Sequence, residues 1–121
     1  MLIDSNIIIY ASKREHAELR NFIAEHVPAV SIVSMVEVLG YHRLTNEEQQ
    51  FFEMFFDAAP MLTISDDVLK QAIKLRQSKK MSLGDALVAG TALTHDFTLV
   101  TRNTKDFDWI NDLRLLNPLT V

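Results

Sequence analysis

The chain has no cysteine among its 121 residues. That excludes a disulfide framework, thiolate chemistry and Cys-based zinc sites, and is compatible with a reducing compartment. Glycine and proline are scarce, three of each, so there are no linker-like or low-complexity tracts, and Gly40, Gly84 and Gly90 form neither a P-loop nor a dinucleotide fingerprint. No run reaches the roughly 18 uninterrupted apolar residues of a membrane span. Met1-Leu-Ile-Asp4 lacks a basic segment leading into a long apolar one, so no signal peptide is expected and a soluble, cytoplasmic protein is the expectation. Positive charge is also short: a net charge of −4 and a pI near 5.5 argue against a broad basic nucleic-acid-binding face. Finally, His16, His26, His42 and His95 are dispersed, with no zinc-type pair and no neighbouring Ser/Asp set that would make a triad.

What remains is apolar and acidic. At 48% hydrophobic the chain suits one domain over residues 1–121 with its own core. Met1 to Ile3 reads as a buried strand ending at Asp4, with Ser5-Asn6 as a turn or cap. Ala17, Leu19, Phe22, Ile23 and Val27 lie at helical spacing over about 15–26, and Pro28 stops that helix. Ala29 to Val33 is β-rich and leads into a helix carrying Glu37. Thr45-Asn-Glu-Glu48 has capping-box spacing and opens a helix with Phe51, Phe52, Phe55 and Phe56, rings suited to a core or a subunit interface. Met61 to Ile64 reads as a strand, Ser65 or Asp66 as the cap of a helix ending near Lys79-Lys80, and Ser82 as the start of another through Thr94. Thr98 to Thr101 and, more weakly, Leu113 to Leu116 complete the strands. Strands alternating with helices predict an α/β domain with a mostly parallel sheet, whose sites form at the carboxyl ends of the strands.

Four acids stand beside these apolar runs: Asp4, Glu37, Asp85 and Asp106. Ser34 to Glu37, Ser82 to Asp85 and Asn103 to Asp106 share the spacing of a cap and the third helical residue, so each acid taken singly is explained by a helix N-terminus. As a set at strand ends, they suit a hard divalent cation bound by oxygen. Lys13, Arg14, Arg43, Lys79, Lys80, Arg102 and Lys105 lie near them in sequence and supply the local positive charge that a polyanion would need.

Four segments together resemble the PIN domain family and, within it, the VapC-like toxin ribonucleases. Leu2-Ile-Asp4-Ser-Asn6 resembles the opening strand with its D-[ST]-N signature, and Ser31 to Gly40 the serine-containing strand that leads to a glutamate. Gly84-Asp85 to Ala92 resembles an aspartate opening a small-residue helix, and Leu99 to Phe107 the T-R-[ND]-x-x-D-F segment. They occur in family order across nearly the whole chain. The resemblance implies a PIN-like α/β/α sandwich, a Mg²⁺- or Mn²⁺-dependent endoribonuclease site, a homodimer, an RNA substrate and a cognate antitoxin protein. Asp4, Glu37 and Asp85 match the first three acidic ligands. At the fourth place Asn103 stands where some members have aspartate, leaving Asp106 or the Asn103 carbonyl oxygen, which would hold a second metal more weakly. Asn6 and Thr101 are then expected to orient carboxylates or water, and Lys79, Lys80, Arg102 and Lys105 to contact RNA. Two other readings of the chain are an inactive PIN-like binding module and a receiver-like phosphoacceptor domain, for which Asp57 is the awkward acid because it follows a Phe-rich helix instead of a strand.

Overall fold

The computed structural model describes residues 1–119. Its strands are β1 (Leu2–Ile3), β2 (Ala29–Ser31), β3 (Met61–Leu62), β4 (Leu99–Val100) and β5 (Leu115–Leu116). They form one sheet in the order β3-β2-β1-β4-β5, every pairing parallel. The helices are α1 (Ser5–Ala11), α2 (Ala17–His26), α3 (Ile32–Leu39), α4 (Asn46–Ala58), α5 (Asp66–Ser78), α6 (Leu83–His95) and α7 (Thr104–Phe107).

Alternation along the strands sorts the core into two layers. Leu2, Ala29 and Leu99 face a cluster with Leu75 of α5, Val88 and Ala89 of α6 and Phe107 of α7. Ile3, Val30 and Val100 face the other, with Ile7 and Ile8 of α1, Leu19 of α2, Val38 of α3 and Phe52 and Phe56 of α4. The sheet is therefore the middle of the expected α/β/α sandwich. The strand order also excludes a receiver-like domain, whose sheet runs 2-1-3-4-5; Asp57 lies near the end of α4, exposed.

The strands expected at 61–64, 98–101 and 113–116 are each shorter than read, and local reading and structure part more sharply at residues 5–11 and at Ser31. Residues 5–11 form a helix where only a turn or cap was expected. Asn6-Ile-Ile-Ile-Tyr10 is rich in β-branched side chains that favour strands, but Asp4 caps the segment and burial of Ile7, Ile8 and Ala11 outweighs local propensity. The second strand ends at Ser31, two residues before the expected Val33. Ser31 is the cap of α3, its hydroxyl accepting from the Val33 amide at 3.1 Å. Ser34 is thus not a cap; it lies within α3, fully buried, its hydroxyl without a hydrogen-bond partner. The capping box at Thr45 and Glu48 and the caps at Ser65 and Ser82 form as expected.

Small residues let α6 sit deep. An added Cβ at Gly90 would stand 3.0 Å from the Val68 carbonyl oxygen and 3.2 Å from the Ala72 nitrogen, both backbone atoms of α5. We expect Gly90→Val to destabilise the fold by about 2 kcal/mol through overpacking, despite the poor helix propensity of glycine. Chemical denaturation compares the variant with wild type; equal midpoints would show that α5 and α6 can separate at no cost.

Candidate active site

The sheet changes direction at β1. From it the chain steps outward through β2 and β3, then returns to place β4 on the other side. In parallel sheets such a switch point opens a crevice at the strand carboxyl ends, and here those ends carry Asp4 after β1 and Thr101 after β4.

Asp4 is buried, 6% exposed. Its Oδ1 accepts from the Ser5 amide at 2.8 Å, while Oδ2 accepts from the Thr101 hydroxyl at 2.8 Å and the Asn6 side-chain amide at 3.3 Å. A carboxylate has about four lone-pair sites, so this set fixes the group and leaves about one site free. Thr101 is equally committed. Its hydroxyl donates to Asp4 and accepts from the Asn6 side chain at 3.2 Å and the Asn103 backbone amide at 3.1 Å. Asn6 closes the web, its carbonyl oxygen accepting from the Arg102 backbone amide at 3.2 Å. Both residues expected to orient the acids therefore touch Asp4 directly.

Glu37 arrives from α3, exposed, and its Oε1 accepts from the Ser5 hydroxyl at 2.9 Å. Its other oxygen lies where Gly84 leaves room, since an added Cβ there would come within 2.7 Å of it. Asp85 is half-buried in the first turn of α6, its backbone amide held by the Ser82 cap at 3.1 Å. Asp106, on α7, is exposed, and Asn103 precedes that helix without making a side-chain cap bond. Asp106 instead flanks Asp85 in a cavity of about 260 Å³ with Lys79, Lys80, Lys105 and Trp109.

Burial pushes the Asp4 carboxyl up to about 6, against the lowering effect of its Thr101 and Ser5 hydrogen bonds, and the charges of Asp85 and Glu37 add to the rise. Asp85 is likewise raised, first by burial, with the Ser82 hydrogen bond opposing and the charges of Asp106 and Glu37 reinforcing. The charges of Glu37 and Asp85 thus reach Asp4, and those of Glu37 and Asp106 reach Asp85. Among the described residues, however, no three His, Cys, Asp or Glu side chains converge into a set that would hold a metal ion. The donor chemistry nonetheless fits a hard cation: only oxygens, one carboxylate oriented by hydrogen bonds, and a glycine making room for another.

Three participants escape a reading of the acids alone. Ser5 links Asp4 to Glu37, and its place inside the D-[ST]-N segment is the signal. Tyr10 carries the Arg102 guanidinium 3.8 Å from its ring centre, a pairing that sequence separation hides. Trp109 lies three residues beyond Asp106 and donates its Nε1 hydrogen to the Asp106 carbonyl at 3.0 Å. Of the histidines, His16 meets Glu18 and stands edge-on to the Tyr10 ring, His26 meets the Phe22 carbonyl, His42 lies against Tyr41 and His95 against Phe97.

Residues 1–112 match the PIN domain family, and the chain belongs to that family. Within it the chain is VapC-like. Ribonuclease VapC1 of Rickettsia felis is 28% identical over 96% of this chain and 94% of its own length. A toxin–antitoxin complex from Klebsiella pneumoniae contains a chain 31% identical to this one, with a TM-score of 0.74 over 99% of this chain and 98% of that one. The same fold recurs at 23% identity in VapBC2 from Rickettsia felis, bound to a DNA fragment from their promoter, with a TM-score of 0.83 over 96% of each chain.

Two expectations follow from the Asp4 environment. Because its carboxyl titrates near 6 in the fold against 3.8 normally, the folded state holds more protons than the unfolded one between those values, and stability falls as pH rises through that window. At ~1.4 kcal/mol per pH unit the loss approaches about 3 kcal/mol above pH 6. In chelator, wild type should therefore lose stability between pH 4 and pH 7, and Asp4→Asn, which has no carboxyl there, should show a flatter profile, as thermal melting across pH will show. Thr101→Val should destabilise the fold by about 1–3 kcal/mol, because it strips Asp4 of a donor and leaves two N–H groups without their acceptor. Thr101→Ser should restore most of it, and equal melting temperatures for Val and Ser would remove the hydroxyl from the account.

Proposed function

We propose that the chain is a Mg²⁺- or Mn²⁺-dependent endoribonuclease and the toxin member of a toxin–antitoxin pair. The observation that carries this is the placing of three acids at the switch point of the sheet: Asp4 at the end of β1, Glu37 tied to it through Ser5, and Asp85 next to Gly84, against which Glu37 lies. Membership of the PIN family and similarity to a ribonuclease VapC1 and to chains of toxin–antitoxin complexes support it.

Asp4, Glu37 and Asp85 would hold the ion, with Asp106 or the Asn103 carbonyl oxygen at the fourth place. Such a cation, when bound, lowers the pKa of water and neutralises charge gathering on the phosphate. The rest of the work belongs to the chain. Thr101, Asn6 and the Ser5 amide fix Asp4 so that its free lone pair has a constant direction. Ser5 steadies Glu37 over the space left by Gly84. Lys79, Lys80 and Lys105 surround Asp85 and Asp106, and Arg102 is held on Tyr10; these four cations would draw in the phosphodiester backbone of RNA by contacts sensitive to salt and indifferent to sequence.

A protein partner finds apolar surface on α4. Phe52 and Phe56 belong to the core, whereas Phe51 and Phe55 are half-buried and Met54 is 73% exposed, lining a groove of about 300 Å³ with Ala11, Arg20 and Ile23. We place antitoxin contact or homodimer formation on such surface, in a cytoplasmic setting. Among the described residues no helix is long and apolar enough to cross a membrane. A second reading, an inactive PIN-like binding module, draws on the neutral Asn103 and on the carboxylates that do not converge. Calorimetric titration with Mn²⁺ separates the two, since the nuclease requires specific binding.

We expect purified protein to cleave single-stranded RNA with Mg²⁺ or Mn²⁺ and not with chelator, and Asp4→Asn to lose at least ~100-fold of that activity while melting cooperatively. Undiminished cleavage by Asp4→Asn would overturn the assignment. Sedimentation at micromolar concentration tests the dimer, and a purely monomeric species would remove it.

A further inference from the structure

The cavity beside Asp85 and Asp106 has a chemistry that the acids do not explain. Around about 260 Å³ it sets three lysines, Lys79, Lys80 and Lys105, together with the half-buried indole of Trp109. That is slightly below the roughly 300–1,000 Å³ of pockets for drug-sized ligands, a size for one planar group and its adjoining phosphate. The Trp109 ring is fixed on two sides. Its N–H is tied to the Asp106 carbonyl at 3.0 Å, and its carbons pack against the core cluster containing Leu75, Phe107 and Ile110. Over the ring lies the exposed Lys79, whose ammonium stands 5.5 Å from the ring centre. A flexible cation over a rigid indole is a weak, displaceable contact.

We propose that Trp109 is a stacking platform for one nucleobase of a single-stranded RNA, next to the phosphodiester held at the acids, with Lys79, Lys80 and Lys105 on the phosphates that flank this base. The inference rests on the nuclease reading and adds how the substrate is held. Base stacking on an aromatic ring tolerates any base and requires an unpaired one, so this subsite selects single strands over duplexes. On binding, Lys79 leaves the ring for a phosphate oxygen, exchanging a cation–π contact for an ion pair. The indole N–H stays with Asp106, which couples the platform to the helix that carries that acid.

Trp109 is the single tryptophan of the chain, so its fluorescence reports this site alone. The full-length protein is titrated, with Ca²⁺ present, with a short single-stranded RNA and with an abasic ribose-phosphate oligomer of the same length. RNA should quench the emission strongly and the abasic oligomer weakly. Measured by anisotropy of labelled RNA, Trp109→Phe should bind within about twofold of wild type, and Trp109→Leu, which keeps apolar packing, should bind about tenfold more weakly with an unchanged salt slope. Lys79→Ala and Lys105→Ala should weaken RNA and abasic oligomer alike and flatten the salt slope. Equal quenching by the two oligomers, or wild-type affinity in a cooperatively melting Trp109→Leu, overturns the platform. RNA cleavage by the same preparations keeps the two ideas apart. Cleavage with Trp109 indifferent to bases overturns the platform and leaves the nuclease standing; base-dependent quenching without any metal-dependent cleavage supports the platform and removes the nuclease.

Discussion

The hydrogen bond from the Thr101 hydroxyl to the Asp4 carboxylate, 2.8 Å long and buried, is the constraint on which the site depends. It joins the carboxyl ends of the two strands flanking the switch point and sets the direction of an acid that burial would otherwise leave poorly solvated. Asp4 is also the N-cap of α1, so one carboxylate both starts a helix and faces the crevice. Such a residue carries opposing demands. Capping and the Thr101 bond favour its charged form, whereas burial and the neighbouring acids favour the neutral one, and burial prevails.

The same economy governs the other acids. Asp85 occupies the third position of a helix capped by Ser82, where the backbone partial charge favours a carboxylate, yet burial, reinforced by the charges of Asp106 and Glu37, raises its pKa. The cap therefore accounts for the backbone place of this residue, and the crevice for the surroundings of its side chain. Glu37 differs: α3 starts at Ser31, so Glu37 lies beyond the first turn and no cap accounts for it. It stands at the crevice because Ser5 holds it and because Gly84 presents no side chain.

The parallel sheet, its two faces and the place of Asp4 at the end of β1 were legible because burial writes short apolar runs such as Leu2-Ile3 and Leu99-Val100 plainly. The capping box at Thr45 was legible because it is local. Residues 5–11 were not, since three successive isoleucines favour a strand until tertiary packing decides. Nor was the boundary at Ser31, where Val33 suits strand and helix alike. Within the site, Asn6 and Thr101 were legible as orienting groups from the motifs that contain them, but no spacing along the chain brings Tyr10 to Arg102 or Lys79 to Trp109. At the fourth acidic place the structure gives Asn103 and Asp106 different positions: the Asn103 amide nitrogen of the backbone serves Thr101, while Asp106 extends the negative field toward Asp85.

The separation of 97 residues between Asp4 and Thr101 has a bearing on synthesis. A parallel pairing of β1 with β4 cannot form locally; it waits for the loop between them to be made and folded. While the chain between these strands is still being made, Asp4 has no Thr101 to meet. Until β4 has emerged, the crevice has only the wall that β1 supplies, and Asp4 is held by its local bonds to Ser5 and Asn6 alone.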